Sequence, residues 1–416
     1  MGKPVVHVIG GGLAGLAAAV RLAGGPYSVV LHEAARQAGG RCRSYYDTAL
    51  GMTIDNGNHL LLSGNQDARA FLTAIGTADQ LAGPQEADFA FCDLATLERW
   101  RLRPNAGPVP WWIFSSHRRV PGTRAADYLG VLRLLIPGKD APVGKLMARE
   151  GLLYERLWRP FFLAALNTNP IEGSSHLAGA VVRETLAKGG RACRPLVARQ
   201  GLSAAFIDPA LTYLGKQGVK IHYEHRLRTL DFVEGRVNAL DFGVELLPLG
   251  PADALILAVP PYAAADLVPG LPTPGASRAI VNAHFKITPP LDVPPLTGIV
   301  NGTIEWLFAF HDRLSVTISG ADRLLDVSRE DLAERIWVEV AKVTQIEKPL
   351  PPWQIIKEKR ATFAATAAEN GRRPGTGTAY NNLWLAGDWT ATGLPATIEG
   401  AIRSGHRAAA KIAAPR

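Results

Sequence analysis

The chain has 416 residues, of which 47% are hydrophobic and only 20% are charged, and its net charge is +8. This length suits two domains or one large discontinuous domain, and the apolar content is enough for a sizeable core. The lysines and arginines are scattered, so nucleic acid is not expected as a partner, whereas an anionic membrane surface or an acidic ligand is compatible with the charge.

The cysteines and the apolar segments narrow the class of protein further. Cys42, Cys92 and Cys193 stand far apart without a Cys-x-x-Cys pair, so no disulfide framework is expected, and no metal-binding cluster is apparent. No signal peptide precedes the first strand, and no uninterrupted apolar run reaches the ~18 residues of a spanning helix. We therefore expect a cytoplasmic protein attached peripherally to the inner face of the membrane. Interrupted apolar segments such as 111–114 and 129–136 can lie on a membrane, although ordinary core helices explain them equally well.

A strand–helix–strand pattern opens the chain. Residues 4–9 predict a buried strand, residues 13–23 have the spacing of a helix packed on a sheet, and residues 27–32 predict a second strand. Three glycines lie where the first strand meets the helix. In this context they allow a tight turn, close approach of the backbone to a pyrophosphate, and close packing of helix on strand. The pyrophosphate is therefore assigned to the helix N-terminus, at Gly10, Gly12, Leu13, Ala14 and Gly15.

The end of the second strand supplies further contacts for a dinucleotide. Glu33 sits where an acidic side chain accepts hydrogen bonds from the ribose hydroxyls, and Ala34 follows it. The next loop contains Gly40 between two arginines, in the pattern Arg-x-x-Gly-Gly-Arg. Its glycines let the backbone pass close to a ligand, and Arg36 and Arg41 can bracket the phosphates.

The middle of the chain predicts an insertion into the nucleotide-binding part. From about residue 85 to 195, strands near 87–103 give way to apolar helical stretches. Later elements are predicted as a helix at 202–216, a small antiparallel meander made of 220–223, 227–233 and 236–242, a strand at 254–259, several strands over 277–325 and an amphipathic helix at 331–344. This order predicts a discontinuous nucleotide-binding domain at 1–65, 196–265 and 380–416, and a substrate-binding domain at 66–195 and 266–379.

The last predicted strand and helix carry a second nucleotide signature. The apolar run 383–386 ends at Gly387 and Asp388, a glycine–proline loop follows, and residues 396–412 have a helical pattern. Together with the glycine-rich loops near the start of the chain, this signature resembles the flavin-containing amine oxidase superfamily, which includes carotenoid desaturases and protoporphyrinogen oxidase. The resemblance implies an α/β fold, in which a Rossmann-type FAD-binding domain carries an inserted mixed α+β substrate domain. No cysteine lies near the second signature, so the FAD is expected to be bound non-covalently.

The same resemblance places individual residues around the cofactor. Asp388, with Gly387, would bind the ribityl or pyrophosphate region. Leu227 would lie against the adenine, or is an ordinary strand residue of the core. The backbone at Ala396, Thr397 and Ile398 would face the pyrimidine edge of the flavin with the positive end of the helix dipole. The loop that passes over the flavin ring would add Asn56, Gly57, Asn58 and His59.

Several phrases of the sequence narrow the resemblance. They lie at 54–59, 165–167, 280–285, 306–308 and 386–400. Together they look like the squalene-associated FAD-dependent desaturase family, whose bacterial members act as hydroxysqualene dehydroxylases. The resemblance implies reductive dehydroxylation of hydroxysqualene, a C30 polyprenoid, to squalene, in the biosynthesis of squalene and hopanoids.

Removal of an allylic hydroxyl needs a proton donor, and two residues of the loop after Arg41 are the candidates. His59 has an ordinary pKa near neutrality, and Asp55 is a carboxylic acid. Each has an alternative role, since His59 can be a flavin contact and Asp55 can hold the loop in place. Glu399 is expected to complement the N-terminus of its own helix rather than to take part in the chemistry.

Three other functions share parts of these patterns. An oxidative desaturase of the carotenoid type has the same fold and a lipid substrate, but hydride flows in the other direction. An amine oxidase fits the superfamily but not the richly apolar substrate region. A prenyl-lipid carrier that has lost FAD would not need Gly15, Glu33, Arg41 and Asp388. The sequence does not indicate an oligomeric state.

Overall fold

The computed structural model describes residues 2–413, and two large β-sheets organise this range. The strands are β1 (Val5–Ile9), β2 (Ser28–His32), β3 (Ser44–Asp47), β4 (Met52–Asp55), β5 (Leu61–Leu62), β6 (Leu81–Ala82), β7 (Phe89–Asp93), β8 (Arg99–Leu102), β9 (Pro195–Ala198), β10 (Lys220–His222), β11 (Thr229–Val233), β12 (Arg236–Asp241), β13 (Leu246–Pro248), β14 (Ala254–Leu257), β15 (Ser277–Phe285), β16 (Leu296–Val300), β17 (Trp306–Ala309), β18 (Leu314–Ile318), β19 (Trp353–Phe363) and β20 (Leu383–Leu385).

Helices cover the sheets and form most of the inserted segment. The α-helices are α1 (Leu13–Leu22), α2 (Gln66–Ile75), α3 (Arg159–Leu166), α4 (Ser175–Glu184), α5 (Asp208–Lys216), α6 (Pro261–Leu267), α7 (Arg329–Thr344), α8 (Ala367–Gly371) and α9 (Ile398–Ala413). Short 3₁₀ helices lie at Trp111–Phe114, Ala125–Leu134, Val143–Lys145, Leu186–Lys188, Gly190–Ala192 and Ala321–Leu324, and π-helical turns at Tyr154–Trp158 and Ser203–Ile207. None of the helices within residues 2–413 has the length and apolar character needed to cross a bilayer.

The first large sheet is parallel and has the strand order β10-β2-β1-β14-β20. Its central strands β1 and β14 are apolar and almost fully buried, as expected for a sheet with helices on both faces. The sequence placed residues 220–223 in an antiparallel meander. That assignment is wrong, because Lys220–His222 pairs in parallel with β2, and the meander is built from β11, β12 and β13.

One apolar cluster joins the parallel sheet to the helices around it. It contains buried side chains of α1, α2, α5 and α9, with Phe71 of α2 and Ile402 of α9 both fully buried. The predicted boundary between residues 65 and 66 therefore separates α2 from the nucleotide-binding helices against which it packs.

The second large sheet has the order β19-β15-β18-β17-β16-β7-β8, and its two faces differ in chemistry. One face carries residues such as Val281 and Val316, which pack with the apolar side of α7. Register places Asn282, His284, Trp306, Phe308 and Thr317 on the opposite face, which is called the inner face below. Trp306 and Phe308 belong to an apolar cluster that also contains the inserted helices.

Four histidines stack on the parallel sheet next to the first glycine-rich loop. His7 lies in β1 shortly before Gly10, and His32 ends β2 immediately before Glu33. The Nδ1 of His7 lies 3.1 Å from Nε2 of His32, and Nδ1 of His32 lies 2.9 Å from Nδ1 of His225. His222 stacks on His32 at 5.3 Å between ring centroids. Burial, together with the neighbouring imidazoles, lowers the pKa of His32 to about 3, and burial lowers that of His7 to about 4 despite the nearby Asp253 carboxylate.

We expect this stack to make the folded protein acid-sensitive. Because the pKa of His32 is lower in the folded state than the 6.5 of an exposed histidine, the unfolded state binds more protons below pH 6.5. The contribution of neutral His32 to the free energy of unfolding is therefore complete above pH 6.5. It should decrease by about 2 kcal/mol between pH 7 and pH 5. The measurement is Tm against pH for the wild type, for His32→Phe, which keeps the aromatic stack, and for the exposed control His117→Gln. A wild-type and a His32→Phe curve of equal slope would contradict the expectation.

Candidate active site

The parallel sheet brings the two nucleotide signatures together. All five strands run in the same direction, so their carboxyl ends lie on one edge of the sheet. Gly10 follows β1, Glu33 follows β2, and Gly387 and Asp388 follow β20 shortly after its last residue. Segments from the two ends of the chain thus meet at the edge where open α/β sheets bind ligands.

In the loop between β1 and α1, there is space for a phosphate beside Gly12 but none beside Gly15. A Cβ atom on Gly12 would meet no protein atom within 4 Å, whereas a Cβ on Gly15 would lie 1.9 Å from the carbonyl oxygen of Gly10. Gly12 also pairs with Gly39 of the Arg-x-x-Gly-Gly-Arg loop, and Gly39 donates its N–H to Gly11. The open space next to Gly12, at the N-terminus of α1, fits a pyrophosphate.

Glu33 fixes the turn beside this space. Its two carboxylate oxygens accept hydrogen bonds from the backbone N–H groups of Gly11 and Ala35, each at 2.7 Å. Ala34, the residue after Glu33, is exposed. Each oxygen retains a second acceptor position. The carboxylate can therefore order the loop and still accept a ribose hydroxyl.

The two arginines of the glycine-rich loop point in different directions. Arg41 donates to Asp388 at 2.8 Å, and that carboxylate raises the pKa of Arg41. This contact ties the first signature directly to the second. Arg36 instead pairs with Glu224 at 3.0 Å, and both side chains are largely exposed. The prediction that both arginines bracket the phosphates is therefore not supported for Arg36, because its guanidinium is held at the surface.

Asp55 is a structural carboxylate in this geometry. It is buried, and one of its oxygens accepts hydrogen bonds from Oγ of Ser44 at 2.6 Å and from the N–H of Leu202 at 2.8 Å. Burial raises its pKa. The prediction of Asp55 as the proton donor is not supported, because its contacts hold the loop in place, which was the alternative role.

The loop after Asp55 rests on the inner face of the second sheet. Asn58 donates from its side chain to Oγ1 of Thr317 at 3.2 Å, and Thr317 donates to Oδ1 of Asn282 at 2.8 Å. A Cβ on Gly57 would lie 2.9 Å from the amide nitrogen of Asn282, so the backbone passes close to this side chain. Oδ1 of Asn58 is buried with no hydrogen-bond partner among the described residues. Asn56 contacts Glu358 at 3.4 Å.

His59 is half-buried and lies close enough to Arg41 for the guanidinium charge to act on it. Burial and the positive charge of Arg41 lower its pKa to about 4. The imidazole is therefore neutral at pH 7. In that form it can donate one hydrogen bond, but it is not a store of protons.

The C-terminal loop is held by an arginine that the sequence did not reveal. Arg373 is buried and donates to the backbone oxygens of Asp388 and Trp389, each at 3.2 Å, and also to that of Thr390. Its side chain contacts Thr392 Oγ1 at 3.2 Å as well. Arg373 lies in a glycine-rich loop segment without a motif, so only its position in the fold discloses this role.

Helix α9 begins beside this loop. Oγ1 of Thr397 accepts the N–H of Gly400 at 3.0 Å, which caps the helix, and Ile398 is its first residue. Glu399 does not complement its own helix as predicted. Its carboxylate accepts the N–H groups of Asp67 and Ala68, at 3.0 and 2.8 Å, and so caps α2. Its position in the first turn of α9 directs it to that neighbouring helix.

Two residues predicted to contact the cofactor, Leu227 and Ala396, pack in or against the large apolar cluster. Leu227 is buried in the loop before β11, within the large apolar cluster, so it is not part of a strand. Ala396, just before α9, packs against the same cluster. Their contacts with adenine and flavin stay predictions.

A second buried carboxyl group, that of Glu305, was not predicted from the sequence. Glu305 precedes Trp306 at the start of β17 and accepts the N–H of Ser319 at 2.8 Å. Burial raises its pKa to about 7. Trp306, on the inner face, has an indole N–H that is buried without a partner among the described residues. The sequence signal that could have pointed to Glu305 is an acidic residue directly before an apolar aromatic run.

Comparison with known proteins identifies the family. The model of the flavin containing amine oxidoreductases matches residues 13–413. The chain belongs to this family. The amine oxidoreductase fold confirms the predicted α/β class, with a Rossmann-type FAD-binding part and an inserted substrate part, and the cofactor is FAD.

Individual members of the amine oxidoreductase family are similar to this chain over nearly its full length. A hydroxysqualene dehydroxylase of Rhodopseudomonas palustris is 56% identical over 405 residues, covering 97% of each chain. A hydroxysqualene dehydroxylase of Zymomonas mobilis is 47% identical, covering 97% of this chain and 98% of its own. The solved structure of a cyclohexylamine oxidase of Brevibacterium oxydans is 16% identical, with a TM-score of 0.72 and 99% of each chain covered.

Proposed function

We propose that the protein is a hydroxysqualene dehydroxylase, which reduces hydroxysqualene to squalene with FAD as its cofactor. The observation that carries this proposal is the full-length identity of 56% and 47% to proteins of that name. It agrees with a nucleotide site in which the glycine loop and the Arg41–Asp388 pair meet, beside an inner face rich in tryptophan and phenylalanine.

The reaction exchanges a carbon–oxygen bond for a carbon–hydrogen bond. The allylic hydroxyl leaves as water after it takes up a proton, and the carbon receives a hydride, so hydroxysqualene and reduced FAD give squalene, water and oxidised FAD. Bound FAD in its reduced form supplies the hydride. The protein must supply the proton, hold the reacting carbon in place and keep water out.

We assign the cofactor contacts as follows. The pyrophosphate binds at Gly10, Gly12, Leu13, Ala14 and Gly15, with Gly40 and Arg41 opposite, and the ribose binds at Glu33. Gly387 and Asp388 bind the ribityl region, while the start of α9 at Ala396, Thr397 and Ile398 faces the pyrimidine edge. Asn56, Gly57, Asn58 and His59 lie over the ring. The cofactor is held without a covalent bond in this proposal, because no cysteine lies near Gly387 and Asp388 in the sequence.

The aromatic residues of the inner face shape the substrate site. Trp306 and Phe308 lie in the same apolar cluster as Trp158 and Phe162 of the inserted segment. Such a surface excludes water from the reacting carbon. The π faces of its rings also stabilise the positive charge that develops when the hydroxyl leaves.

His59 and Glu305 are the candidate groups for contact with the leaving oxygen. His59 lies in the loop that Asn58 anchors to the inner face, and Glu305 directly precedes Trp306 of that face. The pKa of Glu305, raised to about 7, keeps a substantial protonated fraction near neutral pH, which suits a general acid. Neutral His59 is suited to donate a hydrogen bond instead. If Glu305 is the acid, Glu305→Gln should slow the reaction and remove the pH dependence of kcat near pH 7, whereas His59→Gln should slow it and keep that dependence.

The direction of hydride transfer tests the proposal. Anaerobic protein whose reduced FAD carries deuterium at the transferable position is mixed with hydroxysqualene, and the product is analysed by mass spectrometry. We expect squalene with one deuterium at the former carbinol carbon. If the oxidised protein instead introduces double bonds into squalene or another polyprenoid without a reductant, the protein is an oxidative desaturase.

The site of action is part of the same proposal. The substrate is a polyprenoid alcohol that dissolves in the bilayer, and the chain carries a surplus of positive charge. We place the protein in the cytoplasm, attached to the anionic inner face of the membrane.

A further inference from the structure

Six large hydrophobic side chains are exposed close together in the inserted segment. They lie between residues 109 and 136, and Trp111 and Phe114 are 67% and 66% exposed. We call this surface the apolar patch: Val109, Trp111, Phe114, Leu129, Leu132 and Ile136. A soluble surface rarely groups so many apolar side chains without a partner.

The helical geometry explains why these side chains point outward. A 3₁₀ helix has three residues per turn, so residues three apart share a face. In Ala125–Leu134, Tyr128, Val131 and Leu134 are buried, while Leu129 and Leu132 are exposed. The segment is therefore apolar on both faces. Packing within the protein explains the apolar residues of the buried face but not those of the exposed face.

The neighbouring 3₁₀ helix repeats this arrangement. Trp112 is buried and its ring meets that of Tyr128 at 5.1 Å between centroids, which joins the two helices. Trp111 and Phe114 lie on the outside, with their rings 6.2 Å apart. The exposed side chains of both helices therefore form the outer side of one packed unit.

Positively charged residues lie close to the apolar patch in the sequence. Arg124, Arg133, Lys139 and Lys145 are exposed in and beside the two helices. The acidic residues between 109 and 149 are Asp127 and Asp140, and both are engaged, since Asp127 accepts the N–H of Arg124 at 2.7 Å and Asp140 binds Ser174. Exposed apolar side chains accompanied by cations match an anionic lipid bilayer, which offers a hydrocarbon layer beneath negative headgroups.

The interior beneath the apolar patch leads toward the candidate active site. Trp112 and Tyr128 belong to the same apolar cluster as Trp306 and Phe308 of the inner face. Leu60, the neighbour of His59, packs against this cluster. Apolar packing is thus continuous from the surface to the loop that carries His59.

We propose that the apolar patch inserts into the headgroup region of an anionic bilayer, and that the substrate enters the protein through this face. The entry of substrate rests on the proposed function, but the docking does not, because it needs only the surface and the lipid. Docking of this kind gives a water-insoluble polyprenoid a path that does not cross the aqueous phase.

Vesicle binding by the FAD-loaded protein tests the docking. We expect the wild type to bind phosphatidylcholine vesicles that contain phosphatidylglycerol. Trp111→Ser with Phe114→Ser should weaken binding by about tenfold or more, since two large apolar side chains no longer insert. The matched control, Leu291→Ser with Val338→Ser, removes two exposed apolar side chains elsewhere and should bind as the wild type does.

The charge is tested separately. Arg133→Gln with Lys139→Gln should weaken binding to the anionic vesicles roughly tenfold and leave binding to pure phosphatidylcholine unchanged. Arg329→Gln with Arg335→Gln, on exposed positions of α7 behind the second sheet, is the control and should have a much smaller effect.

The outcomes that overturn the proposal are distinct. A wild type that does not bind the vesicles rules out docking to the bilayer. A Trp111→Ser, Phe114→Ser variant that binds as the wild type does places docking elsewhere on the protein. A concentration-dependent dimer that this variant abolishes makes the apolar patch a protein interface. If the Trp111→Ser, Phe114→Ser variant loses FAD or has a lowered Tm, the double variant Leu129→Ser with Leu132→Ser is used for the same vesicle-binding test. Failure of the proposed function appears separately, as wild-type protein that does not convert hydroxysqualene dispersed in detergent.

Discussion

Gly12→Val protein is expected to fold normally and to purify without FAD. A side chain at this position meets no protein atom within 4 Å, so the apoprotein has no reason to lose stability. The valine would instead occupy the space assigned to the pyrophosphate. We expect FAD affinity to fall by at least about a thousandfold, or ~4 kcal/mol, because close backbone approach is lost. Flavin absorbance after purification and Tm of the apoproteins give the two readouts.

Two other glycines provide controls with opposite outcomes. Gly215→Val also meets no protein atom, but it lies in α5 and should keep its FAD. Gly15→Ala places a methyl group 1.9 Å from the carbonyl oxygen of Gly10, so it should destabilise the fold itself. A Gly12→Val protein with stoichiometric flavin would show that the phosphates do not bind at this loop.

Replacement of Arg373 by methionine is expected to destabilise the protein by about 3–5 kcal/mol and to release FAD. The buried guanidinium donates to three consecutive backbone carbonyls, those of Asp388, Trp389 and Thr390. Without it the buried carbonyl oxygens of Asp388 and Trp389 lose their hydrogen bonds, and among residues 2–413 only that of Thr390 keeps a donor, the N–H of Thr392. The loop that presents Asp388 to Arg41 then loses its support. Burial lowers the pKa of Arg373 to about 10, so the side chain stays charged at pH 7.

The neighbouring residue separates this effect from a general loss of charge. Arg372 is largely exposed, and among residues 2–413 its ion pair is with Glu369 at 3.3 Å. Arg372→Met should therefore change the free energy of unfolding by less than about 0.5 kcal/mol. Urea unfolding and FAD titration of both variants make the comparison. Equal stabilities of the two variants would mean that Arg373 does not hold the loop.

The sequence predicted best where chemistry and spacing coincide. The glycines of the first loop and Asp388 lie in motifs whose residue types are dictated by close approach and charge, and the structure brings them to one edge of the sheet. The apolar periodicity of α7 likewise predicted an amphipathic helix, which packs behind the second sheet. Such features depend on local patterns that a single sequence carries.

Partners distant in the sequence were not predictable in this way. Arg373 and Asp388 are joined by a fold whose loop geometry no local pattern encodes. Glu399 caps α2 rather than its own helix because packing of the two helices, not propensity, decides which N–H groups its carboxylate meets. Asp55 differs from a catalytic acid only by what surrounds it, namely Ser44 and Leu202.

The contact between Arg41 and Asp388 joins positions 347 residues apart in the chain. On the ribosome, therefore, the first strand and helix emerge long before β20 exists. β1 can pair with β2 early, but its other side stays open until β14 is made, and β14 in turn lacks its neighbour until β20 is made. Contacts of such long range are formed late in folding. Cofactor capture should thus be one of the last events in the maturation of this protein, and chains that stall before β20 should remain without flavin and be open to proteolysis.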